Sequence, residues 1–253
     1  MTFAVPADAY DRFMGRYSGP LAPLFADAAR VHAGQRILDV GCGPGALTGE
    51  LVRRLGADAV AAVDPSPSFV DAAQSRFPGV DVRLAVAEEL PFAGESFDVA
   101  LAQLVVHFMS DPVAGLREMA RVTRPDGVVA ACVWDHHGGR GPLSPLWDVV
   151  HELDPAAENE SRFAGSRGGH LTELFEAAGL THVEETSLTV SIEHPTFDEW
   201  WEPYTLGVGP AGNYLEKLDP QSRTALRDRL RARRPDEPFV IDASAWTAVG
   251  VRP

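Results

Sequence analysis

Between residues 36 and 134 short apolar runs alternate with stretches whose apolar residues recur at helical spacing, the pattern of strands and crossover helices in a parallel sheet. The first strand is read at Arg36-Ile-Leu-Asp-Val40, followed by a glycine-rich turn and a helix from about Pro44 to Leu55. A second strand, Ala59–Val63, closes on Asp64, and Ser66 is placed to cap a helix running to about Phe77. Strand 3 is expected at Asp81–Val86 and strand 4 at Phe97–Val106, with the turn Ala93-Gly-Glu-Ser96 between them. A helix over Pro112–Val122 and the turn Pro125-Asp-Gly127 lead to strand 5 at Val128–Trp134, whose uninterrupted apolar run predicts burial on both faces. Further on, a helix at Leu171–Ala178 stops at Gly179, strand 6 covers Val183–Ile192, and Ala245–Val251 forms the last strand.

Three segments fall outside this alternation. Residues 1–34, with Tyr10, Phe13, Tyr17, Leu21, Leu24 and Phe25, read as a helical N-terminal cap. Residues 136–170, rich in Gly, Pro and His, read as an irregular insertion. A second insertion, 195–240, carries Trp200, Trp201, Tyr204, Asn213 and a charged helix at Pro220–Arg233. The expected organisation is one domain over 1–253, with its core at 35–135 and two insertions on the substrate side.

Composition narrows the function classes. The 253 residues carry 22 basic and 36 acidic side chains, a net charge of −14, which opposes binding to nucleic acid or to an anionic membrane surface. The start Met1-Thr-Phe-Ala-Val-Pro6 has no basic region followed by a long apolar one, and no apolar run approaches a membrane span. Two cysteines, Cys42 and Cys132, point to a reducing compartment, and a cytoplasmic protein is expected.

The segment Asp39-Val-Gly-Cys-Gly-Pro-Gly45 lies between a strand and a helix. Glycines there let the backbone turn sharply and approach a ligand, and the free N–H groups of the following helix attract polar groups. Asp64, at the end of the next strand, is placed to accept the two hydroxyls of a ribose. The pattern alone specifies an adenosine cofactor and leaves two open, because Gly41, Gly43 and Ala46 also satisfy the dinucleotide fingerprint of NAD enzymes. A tight turn with no ligand is the plainer alternative.

Ile37-Leu-Asp-Val-Gly-Cys-Gly-Pro-Gly-Ala-Leu-Thr48 resembles motif I of the class I S-adenosylmethionine (SAM)-dependent methyltransferases. Three further segments resemble that family in the same order: Val63-Asp-Pro-Ser66, Ala87-Glu-Glu-Leu-Pro-Phe92 with Ser96-Phe-Asp98, and Glu118-Met-Ala-Arg-Val-Thr-Arg-Pro-Asp-Gly127. The similarity covers about residues 35–135 and is greatest to the methyltransferase type 11 group, related to the ubiquinone/menaquinone methyltransferases. It implies SAM as cofactor and S-adenosylhomocysteine (SAH) as product. Asp39, Gly41, Cys42, Gly43 and Gly45 would line the methionine and ribose part, and Asp64 would hold the ribose hydroxyls. Pro65 and Ser66 would border the adenine, Ala87 and Glu88 would meet its edge, and Gln103 would face the methionine chain. Tyr10 and Tyr17 would close over the cofactor from the cap. Where the family has an Asp before the Ala-Glu pair this chain has Val86, so another group must meet the adenine amine.

Methyl transfer draws much of its rate from alignment of the reactants, and a base helps only when the nucleophile must lose a proton. His107, after strand 4, is the candidate base or substrate contact; a packed histidine is the alternative. Trp134, Trp200, Trp201 and Tyr204 are candidate walls of a substrate pocket, with core packing as the competing use. His136 and His137 point to opposite sides of an extended segment and do not make a metal site. Cys42 reads as a small filler.

These readings predict an α/β fold: a doubly wound, mostly parallel seven-stranded sheet of Rossmann-like methyltransferase type, ordered 3-2-1-4-5-7-6. They predict a monomer or homodimer that methylates an O, N or C nucleophile of a small molecule, with no metal, nucleic-acid or membrane partner. The competing classes are an NAD-dependent oxidoreductase and a SAM-binding protein without methyl transfer. Against the first, the chain has no evident Tyr-x-x-x-Lys pair and a single lysine, Lys217.

Overall fold

Seven strands form one sheet in a computed structural model that describes residues 7–234 and 237–253. They are β1 (Ile37–Val40), β2 (Val60–Asp64), β3 (Asp81–Leu84), β4 (Phe97–Gln103), β5 (Thr123–Trp134), β6 (Thr181–His194) and β7 (Phe239–Val251). Their order is β3-β2-β1-β4-β5-β7-β6, as the alternation and the family resemblance predict. The pairs from β3 to β5 are parallel, and β7 runs antiparallel to both β5 and β6.

Both faces of the central strands are buried, and successive side chains feed alternate cores. On one face Ile37, Val60, Ala62, Val99, Leu101, Ala130 and Cys132 pack under α2 (Arg16–Ala28) and α3 (Ala46–Leu55). On the other, Leu38, Val40, Ala61, Val63, Ala100, Ala102 and Val129 pack under α5 (Pro112–Val122) and α7 (His170–Ala177). The cap begins with α1 (Ala7–Tyr10) and a π-helical turn at Asp11–Gly15; the first six residues of its predicted span lie outside the described residues. The remaining helices are α4 (Pro67–Arg76), α6 (Ser144–Leu153), α8 (Phe197–Trp201), α9 (Gly209–Lys217) and α10 (Pro220–Arg233).

Several elements depart from the sequence expectation. Strand β4 stops at Gln103 rather than Val106, because Leu104 takes φ 63° and the chain turns into a 3-10 helix at Val106–Phe108. The segment 135–170 is not wholly irregular: α6 buries Leu146, Trp147, Val149 and Val150 on one side. Strand β7 begins at Phe239, six residues before its predicted start, because its outer half pairs with Thr189–His194 of β6. Ser66 holds the N-cap position of α4 without a side-chain capping bond, its hydroxyl meeting that of Ser68 at 3.0 Å. The Pro125-Asp-Gly127 turn interrupts the pairing of β4 with β5, and Asp126 there carries φ 61°.

The second insertion folds into a layer of aromatics against the cap. Trp200 is 1% exposed and meets Tyr204 with ring centroids 5.1 Å apart and Phe239 at 6.1 Å. Tyr204 in turn meets Phe13 of the cap edge-on at 5.2 Å. Trp200→Ala is expected to cost about 3–5 kcal/mol of stability in urea unfolding, the usual cost of emptying a buried tryptophan site. A loss below about 1 kcal/mol would show that the layer contributes little to the fold.

Candidate functional site

The loop after β1 and the end of β2 meet at one point at the carboxyl ends of the strands, where ligands bind in open α/β sheets. Gly41, Gly43 and Gly45 adopt φ of 72°, 55° and 104°, conformations that side chains disfavour. A Cβ on Gly41 would stand 2.5 Å from Val105 Cγ2, so this glycine lets the loop lie directly against the segment after β4. The thiol of buried Cys42 donates to the Gly43 carbonyl, and burial pushes its pKa well up, which leaves it a packing group.

Asp64 ties the site together. Its Oδ2 accepts the Gly43 N–H at 2.8 Å and its Oδ1 the Ser66 N–H at 2.8 Å. Each oxygen keeps a further acceptor position for a ligand. Burial is the main influence on this carboxyl and raises its pKa. Asp39 lies behind the loop: it is 1% exposed and accepts the Thr48 hydroxyl at 2.6 Å, while its Oδ1 has no hydrogen-bond partner among the described residues.

Burial raises the Asp39 pKa to about 7. A carboxyl whose folded pKa lies above its unfolded value stabilises the protein fully below the unfolded value, and that contribution is lost as pH rises towards about 7. In urea unfolding at about pH 5 and about pH 8, Asp39→Asn is therefore expected to gain stability relative to the wild type at the higher pH. An unchanged difference between the two proteins at both pH values would contradict this.

A cleft of about 230 Å³ opens at this point. Tyr10, Gly41, Gly43, Asp64, Pro65 and Ser66 line it, together with Val86, Ala87, Glu88 and Gln103 and, from the turn after β4, Leu104, Val105, Phe108, Met109 and Ser110. Gln103 donates from Nε2 to the Ser18 carbonyl of α2 at 3.0 Å, and its buried Oε1 has no partner among the described residues. Glu88 Oε1 accepts the backbone N–H groups of Ser110 and Asp111 at 2.7 and 3.1 Å and so braces the turn. Val86, at the position where the family has Asp, lines the cleft and is 46% exposed. The Arg76 guanidinium links cap and loop by binding Asp11 at 2.5 Å and the Pro44 carbonyl at 3.0 Å.

A second, smaller cavity of about 40 Å³ adjoins the cleft, with Tyr10, Leu104 and Phe108 lining both. His107, Trp134, His136 and Leu143 line it together with Glu160, and Val208, Gly209 and Pro210 of the second insertion complete it. The His107 and His136 rings stand 6.1 Å apart. Burial lowers both pKa values, His136 to about 4 and His107 well below its ordinary value, so both rings are neutral at physiological pH. His107 Nδ1, Trp134 Nε1 and Glu160 Oε2 are buried and lack hydrogen-bond partners among the described residues.

Other candidates from the sequence lie elsewhere. Tyr17 does not line the cleft: its hydroxyl meets His194 Nε2 at 2.9 Å and its ring meets Trp134 edge-on, so it joins the cap to β6. Trp200, Trp201 and Tyr204 pack within the aromatic layer and do not line the cleft or the smaller cavity. Asn213 is exposed on α9. Neither Asp39, Cys42 nor Gly45 lines the cleft; each shapes the loop from behind. Glu160, which the sequence did not single out, lines the smaller cavity and is 3% exposed. Nothing in its surroundings, a polar stretch between Pro155 and Arg162, marks it from the sequence.

Among the described residues no group of three or more His, Cys, Asp or Glu side chains is arranged to hold a metal ion. None of their helices is long and apolar enough to cross a membrane.

Residues 38–131 match the methyltransferase domain family. An uncharacterized methyltransferase of Mycobacterium tuberculosis is 38% identical over 160 residues; the match spans 62% of this chain and 63% of that protein. A second, uncharacterized protein of the same organism is 30% identical over 197 residues, 73% of this chain and 70% of that one. The YcgJ protein of Bacillus subtilis shares the fold, with a TM-score of 0.60 at 21% identity over 91% of this chain and 97% of that one. By that match and these relatives the chain belongs to the methyltransferase domain family.

Proposed function

We propose that this protein binds SAM in the larger cleft and moves its methyl group to a small molecule seated in the adjoining cavity. The observation that carries the reading is the junction of Asp64 with the glycine loop. A carboxylate fixed by two backbone N–H groups lines the same cleft as Gly41, where a side chain would collide with Val105 of the cleft wall. The donor set suits this cofactor: Asp64 for the ribose hydroxyls, Pro65, Ser66, Ala87 and Glu88 around the adenine, and the unpaired Gln103 Oε1 for the amino group of the methionine chain. SAM, when bound, supplies a methyl group activated by a positively charged sulfur. The chain holds the reactants close and keeps water out, and such alignment accounts for a large part of catalysis of this kind. Tyr10, Leu104 and Phe108, common to both cavities, form the boundary where acceptor and cofactor meet.

The acceptor is read as small because the second cavity is narrow, about 40 Å³, and the chain's charge of −14 disfavours a polyanion. Incubation with methyl-labelled SAM and cell extract, followed by separation by size, tests this. Label is expected in the small-molecule fraction. Label confined to protein or nucleic acid, or SAM binding with no transfer to any fraction, would overturn the reading.

A further inference from the structure

Glu160 poses a problem of charge. It arrives on the short 3-10 turn Glu160–Arg162 of the first insertion, is 3% exposed, and has an unpaired Oε2. The hydrogen-bond donors beside the carboxyl, its own backbone N–H and the Trp147 indole, are both uncharged; a buried carboxylate without a cationic partner is costly, and proteins ordinarily pair such a group or neutralise it. No lysine or arginine lines the cavity it faces, and the two imidazoles there, His107 and His136, are neutral at physiological pH. Its Coulombic influence reaches Tyr204, which is itself uncharged at that pH. Among the described residues no cationic side chain lines this cavity or is paired with the carboxyl.

The remaining walls are the kind that receive a cation. Tyr10, Phe13, Phe108 and Trp134 line the same cavity, and aromatic faces attract ammonium groups by their quadrupoles. Phe163 lies beside His107 with ring centroids 6.2 Å apart. The volume, about 40 Å³, corresponds to roughly three water-sized spheres, which limits the buried portion of a ligand to a few heavy atoms.

We propose that the second cavity is an amine site: Glu160 pairs with the ammonium group of a small alkylamine, the aromatic walls enclose it, and this amine is the methyl acceptor. The inference rests on the cofactor assignment made above and specifies the class of nucleophile as nitrogen. Glu160 then has two uses. As carboxylate it binds the ammonium form. It also accepts the proton that the amine must lose: an N–H bond breaks, its electron pair stays on nitrogen as the nucleophilic lone pair, and an O–H bond forms on the carboxyl; the lone pair then makes the N–C bond as the methyl group's bond to sulfur breaks, the electron pair of that bond leaving on sulfur as SAH. Burial raises the Glu160 pKa to about 7, between those of an ordinary carboxyl and an alkylamine, which narrows the gap that this proton transfer must cross. His107 Nδ1, unpaired at the same cavity, is placed as a second hydrogen-bond acceptor for the ammonium.

The test uses the whole chain saturated with SAH at about pH 8, where the Glu160 carboxyl is ionised. Isobutylamine, isobutanol and isobutyrate, of nearly equal size, are titrated by calorimetry or by chemical shift. The amine is expected to bind at least about tenfold tighter than the alcohol and the acid. Glu160→Gln is expected to bring amine and alcohol within about twofold of each other while leaving SAH affinity unchanged, since Glu160 does not line the cofactor cleft. Equal or tighter binding of the alcohol, no saturable binding of the amine, or an amine affinity untouched by Glu160→Gln overturns the proposal with the cofactor assignment intact. Failure of SAH to bind the wild type overturns both.

Discussion

Asp64→Ala is expected to weaken SAH binding by about a hundredfold while leaving a folded protein. Each ribose hydroxyl bonded to a carboxylate contributes about 1.5–3 kcal/mol, and the loss of two such bonds, even at the lower value, corresponds to that factor. The substitution also frees the Gly43 and Ser66 N–H groups, which now hold the loop and the start of α4 to the carboxylate at 2.8 Å each. Asp64→Asn should fall between, because the amide keeps one acceptor and places a donor opposite a backbone N–H. Calorimetric titration of the three proteins checks the order. Equal affinity of Asp64→Ala and wild type would remove the ribose anchor from the account.

Gly41→Ala is expected to abolish measurable SAH binding and to lower the unfolding temperature. The added Cβ would lie 2.5 and 2.6 Å from the two Cγ atoms of Val105, and the residue carries φ 72°. The backbone conformation alone costs about 1–2 kcal/mol for a side chain, and the collision forces either the loop or the turn after β4 to move. Gly43→Ala is the control. It has φ 55° but nothing within 4 Å of an added Cβ, so its stability loss is expected to stay near about 1 kcal/mol. Gly41→Ala combined with Val105→Ala should recover part of the lost stability. If the double variant is no more stable than Gly41→Ala, close packing against Val105 is not the reason for this glycine.

The parallel part of the sheet was legible because its strands are continuous apolar runs bounded by turns, and strands buried on both faces need that composition. Charge and polarity likewise marked Asp64 and the glycine loop. Elements whose shape depends on distant partners were less legible. The apolar run after Gln103 continues through Val106, yet Leu104 turns out of the strand while its N–H bonds to the Cys132 carbonyl at 2.9 Å, a partner on β5. The outer half of β7 takes its form from pairing with β6, which no local pattern announces. Tyr10 and Tyr17 look equivalent in sequence, but only Tyr10 lines the cleft, while Tyr17 faces His194 on β6. Glu160 was invisible for the same reason: its importance comes from burial beside His107 and Trp134, residues far away in the chain.

Leu104 sits at the point of contact between the two cavities in a left-handed conformation. Strain of this kind persists only where surrounding structure holds it, and it is common at functional sites. Here it lets β4 end abruptly, so that Val105, Phe108 and Met109 turn back to form the cleft wall.

The central claim is that the cleft beside Asp64 is built for SAM rather than for a dinucleotide. Calorimetric titration of the wild-type protein with SAH and, separately, with NAD tests it most directly. Micromolar binding of SAH and no detectable binding of NAD are expected. Binding of NAD with none of SAH would contradict it, and would leave only the glycine turn and Asp64 in the roles given to them here.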